Sequence, residues 1–311
     1  MNEDYKLMLK AYQQAGGKDI FNDSNVANLV IHKNKVLGKH LVQGLIINTK
    51  ETDNGVDIDM TVKEDTVIDY PVHLCFGILP KEGKQEIKIN VLIKKGAKIK
   101  LLAHCVFPNA IKVQHIMDAN YILEENASLQ YDEVHYHGTT GGIEVIPHAK
   151  IKIGKGSRFL TSFLLMKGRV GKLDFDYQAE VDENGILEMM TNVYGYEDDL
   201  IKVSEGAKLF GDGAKGLIKS RIAVRDNAKT EVISEMEASA PHTRGHVDCI
   251  EIIQGKAEAK AIPIVNVLNE KAQVTHEASV GRVNQKELET LMSRGLKENE
   301  AIDIIVRGML N

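Results

Sequence analysis

The chain has 311 residues, 43% of them apolar and 27% charged, the composition of a folded globular protein rather than a disordered one. A net charge of −5 gives no electrostatic reason to expect nucleic acid or an anionic membrane surface as a partner. No apolar run approaches bilayer-spanning length, and the start, Met1–Asn2–Glu3–Asp4, is acidic where a secretory leader would be basic, so a cytoplasmic location is expected.

The first element is a short helix, Glu3 to Ala15, with Tyr5, Leu7, Met8, Ala11 and Tyr12 on one side and Gly16–Gly17 to stop it. From about Val26 the hydrophobic period becomes two, and Val56–Val62 alternates cleanly as a strand. Trp is absent, aromatics are few and β-branched residues abound, which favours stacked strands over a helical bundle. A turn motif then recurs: a Gly or Asn, residues that tolerate positive φ, followed by a small residue. It appears at Lys95–Gly96–Ala97, Glu125–Asn126–Ala127, Lys155–Gly156–Ser157, Glu205–Gly206–Ala207 and Asp226–Asn227–Ala228, with a weaker copy at Glu270–Lys271–Ala272 and Asn184–Gly185 in the widest gap. Intervals of 30, 30, 50 and 21 residues suit the coils of a β-solenoid without making a strict repeat, and a sandwich with Gly turns stays open.

After Gly281 the pattern is helical again. Asn284 and Glu287 have capping-box spacing, Leu288, Leu291 and Met292 form an apolar face, and Gly295 ends the helix. A second helix from Glu298 carries Ile302, Ile305, Val306 and Met309 on one side. Two such short helices must cap the solenoid end or dock on a partner. The expected layout is an N-terminal helix over 1–20, a β core over 21–280 with regular coils starting near 70–90, and a helical segment over 281–311.

The stretch from Asp248–Cys249–Ile250–Glu251 through Ala257, Ala259, Ile262–Pro263–Ile264–Val265, Ala272–Gln273–Val274–Thr275–His276–Glu277–Ala278–Ser279, Arg294–Gly295–Leu296, Glu300–Ala301 and Gly308 resembles the C-terminal core of the SufB/SufD family, in its compact SmsB-like form. That resemblance implies a right-handed parallel β-helix and a scaffold for nascent iron–sulfur clusters, 4Fe–4S or 2Fe–2S. It also implies an ABC-type ATPase partner docked on the C-terminal helices through Leu288, Leu291, Met292, Arg294, Ile302 and Ile305, a homodimer through the C-terminal end of the β-helix, and acceptor proteins for the cluster. The chain has no phosphate-loop motif, Gly211–Gly216 having the wrong layout, so ATP hydrolysis is assigned to the partner and the chain is expected not to be an enzyme.

Clusters want thiolates, commonly four. The three cysteines, Cys75, Cys105 and Cys249, have no C-x-x-C spacing, and one of them lies in the family-like segment. Across a two-fold axis Cys249 would be presented twice. Cys249 and Glu277 are the expected ligands, with His276 as ligand or orienting group. His242, His246 and Glu251 rank lower, and Cys75 and Cys105 read as small core residues. His135 and His137 share a strand face, with Asp132 and Glu133 nearby, and form a weaker metal candidate. Two other functions compete. One is a SufD-like structural partner that holds no cluster; the other is a solenoid enzyme acting on polysaccharides, disfavoured by the missing Trp and the lack of a carboxylate pair.

Overall fold

A computed structural model describes residues 3–18, 20–21 and 23–310. Met1, Asn2, Asp19, Asn22 and Asn311, which include parts of the expected 1–20 and 281–311 segments, lie outside the described residues. Helix α1 (Glu3–Gln14) leads into β1 (Asn28–His32), β2 (Lys35–His40), β3 (Leu45–Glu51), β4 (Gly55–Val62) and β5 (Val72–Gly77). Longer strands follow: β6 (Glu82–Ile93), β7 (Lys98–Phe107), β8 (Lys112–Leu123), β9 (Ser128–His137), β10 (Ile143–Ile153), β11 (Arg158–Lys167) and β12 (Lys172–Val181). The series ends with β13 (Ile186–Gly195), β14 (Leu200–Leu209), β15 (Lys215–Val224), β16 (Lys229–Ala238), β17 (Arg244–Ile253), β18 (Glu258–Val267) and β19 (Gln273–Arg282), before α2 (Gln285–Ser293) and α3 (Glu298–Leu310).

From β4 on, successive strands go to opposite sheets. The ten-stranded sheet runs β19-β17-β15-β13-β11-β9-β7-β5-β1-β2, and the nine-stranded sheet runs β18-β16-β14-β12-β10-β8-β6-β4-β3. Each coil therefore lends one strand to each sheet, and the neighbours are parallel apart from the β1–β2 and β3–β4 pairs at the N-terminal end. This is the parallel β-solenoid that the turn motif suits and the family resemblance implies; the sandwich is excluded. Each strand turns one row of side chains into the space between the sheets. In β14 that row is Ile201, Val203, Glu205, Ala207 and Leu209, all buried. Rings stack along the interior, with Phe175 on Tyr177 at 4.1 Å and Tyr121 beside Tyr131 at 5.6 Å between centroids.

The turns fall into two columns, which explains the uneven spacing of the sequence motif. One column has positive φ at Asp65, Gly96, Asn126, Gly156, Asn184, Gly213 and His242, about one coil apart, and amides of adjacent coils tie it together (Gly96 N to Glu125 O, Asn126 N to Lys155 O, Gly156 N to Glu183 O). The second column holds Glu197, Asp226 and Gly255, with Asn227 N bonded to Glu197 O and Lys256 N to Asp226 O. Asp226–Asn227–Ala228 belongs to this second column. Glu205–Gly206–Ala207, expected to be a turn, lies inside β14 instead. Gly206 is there because Gln178 of the paired strand lies across it: a Cβ would meet Gln178 Oε1 at 1.9 Å.

The helices lie along the barrel rather than across its end. Met8, Ala11, Tyr12 and Ala15, in and just after α1, pack on Val30, Cys75 and Val106, which face outward from the ten-stranded sheet. Leu288, Ala301, Ile302, Ile305, Val306 and Leu310 pack on the same sheet further along, against Tyr194, Ala223 and Ile252. The tyrosine hydroxyl of Tyr194 donates to Asp303 Oδ1 at 2.6 Å, and Asn192 Nδ2 donates to the Leu310 carbonyl at 2.9 Å. Asn284 caps α2 as expected, accepting from the amides of Lys286 and Glu287. Two expectations need correction. The helices cap neither end, because a long apolar strip on the sheet's outer face accommodates them. Met309 is exposed and Leu310 is buried in its stead. The last coil, β18 and β19, is consequently bare.

Candidate functional site

Cys249 lies one coil below that bare end. It belongs to the inward row of β17 (Gly245, Val247, Cys249, Glu251, Ile253) and is 1% exposed. Below it is Ser220, its register partner on β15; across the interior Ser234 Oγ is 3.4 Å from the thiol; above it is only Ala278 of β19. Burial holds the thiol above its ordinary range, partly offset by the neighbouring hydroxyls of Ser220 and Ser234. Two carboxyls share this part of the interior. Glu251 has neither oxygen partnered and is pushed by burial up to about 7. Glu205 accepts from Thr191 Oγ1 at 2.7 Å, and burial pushes it up to about 7 as well.

The register separates the other predicted residues. His276 pairs with Val247 and so belongs to the inner row, diagonal to Cys249. Glu277 pairs with Asp248, whose carboxylate holds Arg221 on the outer face. Cys249 and Glu277 therefore point to opposite faces, and no single iron can reach both within one chain in this register. His246 faces outward, 2.8 Å from Thr275 Oγ1, and His242 occupies a turn beside Asp212. Leu288, Ile302 and Ile305, expected to be offered to a partner, are buried against the chain's own sheet, and Leu291 is partly so. This corrects the docking assignment: Met292, Arg294, Ile304 and Met309 are among the residues that the helical segment leaves exposed.

A second polar group lies nearer the N-terminal half. His135, His137 and Glu133 all face inward from β9, whereas Asp132 faces outward to Ser162 and Lys100. Glu133 Oε1 is 2.7 Å from His135 Nε2 and accepts from the Cys105 thiol at 3.7 Å. Its Oε2 accepts from the hydroxyls of Tyr131 (2.9 Å) and Tyr177 (3.3 Å). Burial pushes the Glu133 carboxyl up, but the contact with His135 and the Tyr131 bond outweigh it and hold the group below its usual value. Sequence reasoning missed Cys105 here. The clue was available: Cys105 and His135 are one coil apart and are register partners. On the other side of the sheet, between α1 and α3, a cavity of about 610 Å³ is lined by His73, His104, Lys167 and Arg307, and also by His135.

Among the described residues no helix is long and apolar enough to cross a membrane. Residues 81–309 match the family model described as the SUF system FeS cluster assembly, SufBD core domain. The iron-sulfur cluster assembly SufBD family protein MJ0034 of Methanocaldococcus jannaschii is 39% identical over 91% of this chain and 89% of its own length. The SufBD family protein PH0883 of Pyrococcus horikoshii is 32% identical over 99% of this chain and 94% of its own. Bacillus subtilis SufB is more distant, 23% identical over 80% of this chain and 47% of its own length. A bare-ended solenoid with a thiol under its last coil, matched along most of its length by these proteins, belongs to the SufBD family of iron–sulfur cluster assembly proteins.

Proposed function

We propose that this chain is the scaffold on which a nascent iron–sulfur cluster is assembled before transfer to an acceptor protein, and that the cluster forms where two copies meet at their C-terminal ends. The observation that carries this reading is the bare terminal coil above Cys249. Its inner row, Ala259, Ala261, Pro263, Val265 and Val267 on β18 with Val274, Ala278 and Val280 on β19, continues the apolar interior to the surface; Val267 is 46% and Val280 48% exposed. Both terminal strands are ten residues long with unpaired edges, which soluble proteins normally cover. A second copy covers edge and row together, bringing in a second Cys249. Cys249 and His276 are then the donors, with Glu251 the nearest carboxyl. Glu277 can join only by a one-residue slip of β19. Because Cys249 is buried beneath Ala278, loading requires the last coil to lift.

That lifting is the work assigned to an ABC-type ATPase docked on α2 and α3, where Met292, Arg294 and Ile304 are free while Ile302 and Ile305 transmit to the sheet. A cytoplasmic setting suits such chemistry. Anaerobic reconstitution with iron and sulfide tests the reading: the chain should gain sulfide-to-iron charge-transfer absorption, lost in Cys249→Ala and weakened more by His276→Ala than by Glu277→Ala. Undiminished absorption in Cys249→Ala would overturn the ligand assignment, and no absorption in the unaltered chain would leave the alternative, a structural partner that holds no cluster, which the burial and raised pKa of the thiol favour.

A further inference from the structure

Independently of the cluster, we propose that Cys105, Glu133 and His135 form a binding site inside the solenoid for a divalent transition-metal ion such as Fe²⁺ or Zn²⁺. Their ligating atoms lie within 4.8 Å of one another, and all three side chains are buried.

Proton bookkeeping shows that a positive charge belongs there. His137 Nδ1 is 2.9 Å from the carbonyl oxygen of Arg169, which can only accept, so that nitrogen carries the hydrogen. The neutral ring then has Nε2 as an acceptor, 3.1 Å from His135 Nδ1, which must donate to it. In the neutral His135 ring this leaves Nε2 with a bare lone pair, facing a carboxylate oxygen at 2.7 Å. Two acceptors at that separation repel unless a cation lies between them, either a shared proton or a metal. The same hydrogen-bond chain is what orients a metal-bound imidazole, with the far nitrogen donating to a fixed acceptor.

The surroundings favour the metal. A shared proton would need only His135 and Glu133, yet the Cys105 sulfur converges on the same oxygen at 3.7 Å. His115 is also buried in this chamber, its ring 6.2 Å from that of His135, with neither ring nitrogen partnered. One nitrogen, one oxygen and one sulfur suit a borderline ion in tetrahedral coordination, with the fourth position open to His115. With bond lengths of about 2.0–2.3 Å, tetrahedral ligand atoms stand about 3.3–3.7 Å apart. The sulfur–oxygen separation already matches, and the nitrogen–oxygen pair would open by about 0.6 Å. Charge balances too: on binding, the Cys105 thiol gives up its proton, and thiolate plus carboxylate neutralise the dication inside an apolar core.

The test uses the untagged full-length chain, stripped with a chelator under anaerobic conditions and titrated with Co²⁺. One equivalent should bind with thiolate-to-cobalt charge-transfer bands and tetrahedral ligand-field bands, and Zn²⁺ should displace it. Cys75→Ala/Cys249→Ala, which leaves Cys105 as the sole thiol, should keep the bands at full intensity. Cys105→Ser should lose the charge-transfer bands, and Glu133→Gln should weaken binding at least tenfold. Absence of charge-transfer bands in the Cys75→Ala/Cys249→Ala chain overturns the site even if no Cys105 variant folds. Their persistence in Cys105→Ser overturns it equally. Because Cys249 is absent from the deciding variant, failure here and failure of the cluster reading are separate outcomes.

Discussion

Glu205 gives the sharpest energetic prediction. Its carboxyl is fully buried on β14; Oε1 accepts from Thr191 and Oε2 has no partner. Burial carries it from an ordinary 4.5 to about 7, which corresponds to about 3 kcal/mol at ~1.4 kcal/mol per pH unit. The sign follows from proton counting. Below pH 4.5 both folded and unfolded chains are protonated and the group has no effect. Between 4.5 and 7 the unfolded chain has released its proton while the folded one keeps it, so stability falls as pH rises and levels off above about 7. Glu205→Gln retains an oxygen for Thr191 and removes the titration. Urea midpoints at pH 5 and pH 8, read by a probe of the C-terminal coils, should show the variant gaining up to about 3 kcal/mol on wild type across that interval. The comparison matters more than either curve, because surface carboxylates contribute the opposite slope to both proteins. Parallel pH curves for the two chains would refute the burial argument.

The other predictions concern the walls around the site. Asp199 is buried and accepts from Arg169 Nε at 2.9 Å and from the amides of Val170, Gly171 and Tyr196, so Asp199→Ala should cost ~3–5 kcal/mol in urea unfolding, and a loss under 1 kcal/mol would contradict its role as the turn's hub. His73 and His104 are held by burial at about 4, and the Tyr12 hydroxyl is hydrogen-bonded to His73 Nδ1 at 2.8 Å. Both stay neutral in the fold while the unfolded chain protonates near 6.5, so stability drops as pH falls from 6.5 towards 4; amide exchange in α1 should accelerate at pH 5 relative to the rest of the chain once intrinsic rates are corrected. Met292→Asp and Ile304→Asp sit on exposed helix faces and should change stability by less than ~0.5 kcal/mol, yet each should abolish co-purification with an ABC-type ATPase.

The fold was legible because its period is written in residues that tolerate positive φ. Gly96, Asn126 and Gly156 mark one column at an even interval. What blurred the period was a second column, visible only when Asp226–Asn227 is assigned to the opposite side, and Gly206, a glycine kept small by a neighbouring glutamine rather than by a turn. The C-terminal helices were legible as helices, through Asn284 and Gly295, but their docking site was not. An apolar strip made of Tyr194, Ala223 and Ile252 is scattered over three strands and has no signature along the chain. Cys249 and His276 were singled out by resemblance. Their relation to Glu277 depends on the parity of β19 against β17, which the alternation of that exposed strand does not advertise, since nearly every residue in it is accessible.

Most of the interior obeys one rule: β-branched and aromatic side chains in stacked rows. The exceptions concentrate in two places, Cys105 with Glu133, His135 and His137, and Cys249 with Glu205 and Glu251. Stability does not account for them. A buried carboxyl without partners costs on the order of 1–3 kcal/mol even when it stays protonated, and Glu251 has neither oxygen satisfied within the protein. A leucine at any of these positions would continue the row at no such cost. Solenoids also tolerate local weakness, because each coil leans mainly on its neighbours and a penalty in one coil does not propagate far. That tolerance lets the architecture keep polar chemistry inside. The consequence for experiment is specific: changing these residues to apolar ones should leave the fold as stable or more so while removing metal or cluster binding, the reverse of what substitution does elsewhere in the core.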